Sequence, residues 1–176
     1  VSRRIGGNMK LLAIRFVTTT ETDPDLSHIG EYTDKPEPWV IVRRDNDYLT
    51  NLEDNLDWEC PPKGRECRFF KPYGAGDDAG SFDYQRFGLQ DYKHMEAYNN
   101  SEWCMLYAYA EAEIVVGGVC QTIRSGGVAG IENTDKETLA SVKEEELAAL
   151  HEILAEISGE ITPRLLATFT VKDVSR

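Results

Sequence analysis

From Tyr107 to Val116 two kinds of side chain alternate without a break, and only an extended backbone satisfies that pattern. Ala108, Ala110, Ala112, Ile114 and Val116 fall on one face, and Tyr107, Tyr109, Glu111, Glu113 and Val115 on the other, a period of two. Gly117-Gly118 follows, and a second run starts at Val119. Paired glycines supply the positive φ angles of a two-residue hairpin, so Val116 is expected opposite Val119, Glu113 opposite Thr122 and Glu111 opposite Arg124. The last of these is a cross-strand ion pair, worth about 0.2–1 kcal/mol if exposed. The small-residue face suits close packing against a helix.

That helix is expected from Thr134, where Thr134-x-x-Glu137 has the form of a capping box. Leu139, Val142, Leu147, Leu150, Ile153, Leu154 and Ile157 form its apolar stripe, and Gly159 supplies a stop. Lys143 and Glu146 are expected to pair at the margin of the stripe. The opposite face holds Glu137, Glu144, Glu145, Glu152 and Glu156 with no Lys or Arg among them, whereas exposed helices normally intersperse the two signs.

The remaining chain is less regular. Strands are predicted at Lys10 to Thr20, around Ile29 to Tyr32, at Trp39 to Arg43, at Cys67 to Phe70 and after Pro163, where Leu165, Ala167, Phe169 and Val171 alternate. A short helix is predicted from Leu89 to Tyr98, stopped by Asn99-Asn100, and Leu49, Leu52 and Leu56 allow another or a surface excursion. Ser125 to Asn133 reads as a Gly-rich connector. These elements predict an α+β fold: a mostly antiparallel sheet with one long amphipathic helix packed on a face and a second short helix. Residues 1–8 read as an extension or cloning remnant and residues 9–176 as a single domain, a size that buries a sufficient core.

Charge narrows function. Thirty-one acids against 19 bases give a net charge of -12, which argues against direct binding to nucleic acid or to an anionic membrane and favours basic protein surfaces. No apolar run has transmembrane length. The residues before Met9 do not resemble a signal peptide, and the four cysteines show no Cys-x-x-Cys spacing, so reduced thiols and a cytoplasmic location are expected.

Several segments together resemble one known group of proteins. They are Gly30-Glu31-Tyr32, the run from Asp91 to Asn99, Ala110-Glu111-Ala112-Glu113, Gln121 to Gly127 with Gly130-Ile131-Glu132, and Glu144-Glu145-Glu146-Leu147. Over roughly residues 21–157 the chain resembles a family of small uncharacterised proteins of phages, plasmids and other mobile elements. The resemblance implies no activity. It implies a genetic context in which a protein must help its element survive host defences.

Candidate chemistry is sparse. Glu111 and Glu113 place two carboxylates on one strand face, a geometry that serves metal-assisted hydrolysis if a third ligand joins them; the alternative is a solvent-facing strand with Arg124 neutralising Glu111. Ser125 to Gly130 lacks the Lys-Ser/Thr ending of a phosphate-binding loop, so it reads as a connector needing unusual backbone angles. Cys60 and Cys67 with His28 or His94 lack zinc-site spacing, and His151 reads as exposed. Tyr92, Tyr98, Trp103, Tyr107 and Tyr109 read as packing aromatics.

The acidic helix face remains. At 1.5 Å rise per residue, Glu145 and Glu152 lie about 10 Å apart along the axis and Glu152 and Glu156 about 6 Å, on the scale of successive backbone phosphates. The sequence therefore predicts a non-enzymatic accessory protein, without cofactor or metal, that binds a host or defence protein having a basic nucleic-acid-binding surface. Glu137, Glu144, Glu145, Glu152 and Glu156 would make the contact. An anti-defence inhibitor of anti-CRISPR or anti-restriction type is the form this takes; a metal-dependent hydrolase using Glu111 and Glu113, or a virion or assembly protein, is the alternative.

Overall fold

A computed structural model of the chain describes residues 3–5, 9–37, 40–43, 64, 66–73, 82–158 and 171–175. They belong to two compact units, one made of Val1–Glu21 with Met105–Arg176, the other of Thr22–Cys104. The class is α+β, with mostly antiparallel sheets and, among the described residues, two helices.

In the first unit, β1 (Arg3–Ile5), β2 (Met9–Thr20), β6 (Met105–Val116), β7 (Val119–Arg124), β8 (Val128–Glu132) and β9 (Lys172–Ser175) form one sheet. β2 and β6 lie at its centre, antiparallel along their whole lengths. β1 pairs antiparallel and β9 parallel with the outer edge of β2, while β7 and β8 share the outer edge of β6.

The hairpin has the register that Gly117-Gly118 implies: Val116 faces Val119, Glu113 faces Thr122 and Glu111 faces Arg124. Both glycines have positive φ, 59° and 86°. β2 is less regular, with a bulge between Leu11 and Ala13. The extra residue has a consequence for both faces. Leu11 and Ile14, three apart, stay on the same apolar side, and Arg15 is turned to the side of Glu111 and Glu113.

Helix α2 (Lys136–Ser158) packs on the alanine face. Leu150 and Leu154 join Met9, Leu11, Ile14, Ala110, Ala112 and Ile114 in one core, and Val142 joins Phe16, Ala108 and Ile131 in a second. Each large aliphatic side chain buried there contributes about 1.5–3 kcal/mol. Leu139, Leu147 and Ile153 are half-buried, but Ile157 is exposed, so the stripe ends before the last turn. Asp135, one residue beyond the expected Thr134, caps the helix. Its carboxylate accepts from the Thr138 backbone N–H at 3.0 Å and the Thr138 hydroxyl at 2.7 Å.

The Gly-rich connector contains a strand that its sequence conceals, β8, which pairs with β6. Between β7 and β8, Ser125 bridges the gap: its N–H donates to the Ala110 carbonyl at 3.0 Å and its hydroxyl accepts from the Ala110 N–H at 2.8 Å. Gly127 has φ 79°, and a Cβ there would collide with the Tyr107 ring. Its N–H donates to the Glu146 carboxylate at 2.9 Å. Glu146 is thus held by the connector and not by Lys143, which instead binds Asp173 at 2.6 Å.

In the second unit, β3 (Gly30–Thr33), β5 (Phe69–Pro72) and β4 (Ile41–Val42) form a small antiparallel sheet in that order. Helix α1 (Phe82–Asn99) starts seven residues earlier than predicted. Leu89 is exposed, while Tyr92, Met95, Tyr98 and Asn99 are buried. β5 begins two residues after Cys67, and β4 is shorter than the predicted Trp39 to Arg43. The predicted helix around Leu49 to Leu56 and the strand from Leu165 lie outside the described residues, apart from Val171.

Arg43, only 1% exposed, organises this unit. It donates to the carbonyls of Gly64 and Cys67 at 2.7 and 3.0 Å and to Glu96 at 2.9 Å, and its guanidinium stands 4.4 Å from the centre of the Tyr32 ring. Tyr32 donates to Glu96 at 2.6 Å and accepts from Asn99 at 2.8 Å. Burial, and then Glu96, push the Tyr32 phenol far above its ordinary range. Breaking a buried ion pair from one side strands the other charge. Arg43→Met is therefore expected to destabilise the protein by about 3–5 kcal/mol in urea unfolding; a change below about 1 kcal/mol, the range of a surface pair, would show that Arg43 does not hold this unit.

Candidate functional site

The five glutamates Glu137, Glu144, Glu145, Glu152 and Glu156 all lie on α2, and all five are exposed. Residues 137, 144, 145, 152 and 156 recur at intervals that keep them on one side of a helix of 3.6 residues per turn. Among the described residues none of them forms an ion pair; Glu145 accepts only from the Ser141 hydroxyl, at 3.2 Å.

The two ends of the helix differ electrostatically. Glu137 sits in the first turn, where the helix dipole favours an anion. The last turn has no basic residue, so Glu152 and Glu156 add their charge to the negative end of the dipole. They also stand four residues apart, a mutually repulsive spacing. Nothing in local helix energetics favours these acids here, and a cation brought by another molecule would.

Glu111 and Glu113 are a different case. They lie on the face of β6 opposite α2, and Arg15 on β2 engages both, at 3.4 Å to Glu111 and 2.9 Å to Glu113. Arg124 reaches Glu111 from β7 at 3.5 Å, with its guanidinium 4.9 Å from the centre of the Tyr109 ring. The expected Glu111–Arg124 pair is present, but Glu111 is buried, 2% exposed, where an exposed strand face was expected. The bulge in β2 is what delivers Arg15 to this row. Sequence alternation alone gives no sign of it.

A cation already bridges the two carboxylates, so a metal at this position would have to displace a guanidinium. Among the described residues no group of three or more His, Cys, Asp and Glu side chains is arranged to hold a metal. Cys60 lies outside the described residues; Cys67, Cys104 and Cys120 form no disulfide among the described residues. His94 stacks on Trp103 with ring centres 4.3 Å apart, and His28 is exposed. His151 is half-buried, not exposed as expected, and burial lowers its pKa. Tyr92, Tyr98, Trp103 and Tyr109 are buried, as packing aromatics should be.

No protein-family model, no curated protein and no solved structure matches this chain. Among the described residues, no helix is long and apolar enough to cross a membrane.

Arg15 holds the Glu113 carboxyl below its ordinary range, chiefly by their hydrogen bond, and the Cys120 thiol adds to the effect. The same contact, 3.4 Å long, pushes the Cys120 thiol up. A carboxylate with a depressed folded-state pKa stabilises the fold above its unfolded pKa, and that stability is lost as pH falls through the folded value. Glu113→Gln is therefore expected to flatten the acid side of the stability curve below about pH 4.3 and to make Cys120 react faster with thiol reagents at mildly alkaline pH. Unchanged acid stability together with unchanged thiol reactivity would contradict this assignment.

Proposed function

We propose that this protein is a non-enzymatic accessory factor of a phage or other mobile element. It acts in the host cytoplasm by binding a host or defence protein through the acidic face of α2. The observation behind this is that Glu152 and Glu156 crowd the negative end of a helix whose last turn has no cation, with Glu145 one further step along the same side. Such a row complements a groove lined with Lys and Arg. It would gain affinity as nucleic acid does, by releasing the counterions that both surfaces hold when apart.

The class of partner follows from that chemistry. A protein that binds nucleic acid presents a continuous basic channel, and a rigid rod of carboxylates fits it better than scattered surface acids do. The net charge of -12 argues against the reverse role, direct contact with phosphates. The resemblance to proteins of mobile elements suggests the setting, inhibition of a defence nuclease or restriction system. Hydrolysis by Glu111 and Glu113 receives no comparable support, because Arg15 binds both.

Reversal of charge tests the contact surface. The variant Glu145→Lys, Glu152→Lys, Glu156→Lys is expected to unfold at the same temperature as the wild type or higher, since it relieves repulsion at the helix end. It is expected to lose the salt-sensitive, nucleic-acid-binding partners that the wild-type protein captures from host lysate. Equal capture by both proteins, with the fold intact, would rule out this face as the contact.

A further inference from the structure

A second feature of α2 lies away from the acids. The helix contains two lysines, Lys136 and Lys143, seven residues and so about two turns apart. Both line a cavity of about 320 Å³ between the first two turns of α2 and the C-terminal ends of β2 and β9. That volume lies within the range of sites for small ligands, about 300–1,000 Å³.

The walls are of two kinds. Phe16, Leu139 and Val174 give an apolar interior. At the rim, the hydroxyls of Thr18 and Ser175 lie 3.4 Å apart. Lys143 is fixed there by Asp173, at 2.6 and 2.8 Å to the two carboxylate oxygens, and its ammonium stands 5.8 Å from the centre of the Phe16 ring. Lys136 is exposed and donates to the Asn133 carbonyl at 2.6 Å. An ammonium has three donors, so that bond leaves two for a ligand.

The charge balance decides the ligand. Two lysines against one aspartate leave this cleft net positive on a protein whose net charge is -12. A neutral apolar molecule would leave the Lys136 donors unused, and a cation would be repelled. We infer that the cleft between α2 and the β2–β9 edge binds a small amphipathic monocarboxylate, its short apolar tail against Phe16, Leu139 and Val174 and its carboxylate on Lys136. This site is independent of the acidic face, on the other side of the same helix.

Octanoate is a suitable probe, with octanol and octylammonium as neutral and cationic counterparts, followed by backbone and methyl NMR on the full chain. Octanoate is expected to shift the resonances of Phe16, Leu139 and Val174 and to bind about tenfold tighter than octanol, the scale of a hydrogen bond to a charged group. Lys136→Met is expected to remove that advantage and leave octanol binding unchanged. Ala140→Trp, at an exposed position on the cleft, is expected to abolish both while the unfolding midpoint holds. Absence of shifts at those residues, octanol binding as tightly as octanoate, or unchanged octanoate affinity in Lys136→Met would each overturn the proposal.

Discussion

The antiparallel pairing of β2 with β6, twelve residues on each strand, is the contact on which the rest of the first unit depends. One face of the pair is small and apolar, which lets α2 approach closely over Ala108, Ala110 and Ala112. The other face brings Arg15 against Glu111 and Glu113. A one-residue slip would exchange these faces, since side-chain direction alternates with every residue. The bulge after Leu11 is where the two patterns are reconciled. It keeps Leu11 and Ile14 in the core and turns Arg15 out of it.

Each unit also contains a buried ion pair, centred on Glu111 in the first and on Arg43 in the second. Glu111 is held by arginines from the strands on either side, and Arg43 by two carbonyls and Glu96. Buried pairs of this kind add little net stability compared with apolar packing, but they penalise any arrangement that separates the partners. Arg43 can satisfy Gly64, Cys67, Tyr32 and Glu96 together only when β3, β4 and α1 are in their observed places. This is a specificity device for a unit whose sheet, among the described residues, has three short strands.

What was legible in the sequence follows from the range of the interactions. The hairpin register, the side of α2 on which the glutamates lie and the end of α1 at Asn99 depend on local periodicity and turn chemistry, and each was readable within a dozen residues. β8 was not, because Gly130 interrupts its apolar pattern and its pairing with β6 is supplied from twenty residues away. Nor was the first half of α1, where exposed Phe87 and Leu89 give no buried stripe. The partners of Arg15, Arg43, Glu146 and Lys143 all lie at long sequence separations. Lys143 followed by Glu146 favoured a local pair, and Asp173 and Gly127 outcompeted it.

Helix α2 therefore separates three kinds of side chain around one axis: an apolar stripe against the sheet, two lysines over a cleft, and five glutamates toward solvent. The first stabilises the fold, and Glu152 and Glu156, by the electrostatics of the helix end, oppose it slightly. In the proposed function that cost is offset when a basic partner binds. The most direct measurement is competition: a captured partner held on this protein is challenged with labelled duplex DNA while anisotropy is followed across a range of salt concentrations. Mutually exclusive binding is expected, with the logarithm of the affinity for this protein falling linearly with log salt as it does for DNA. A ternary complex of partner, duplex and protein, or an affinity indifferent to salt, would contradict it.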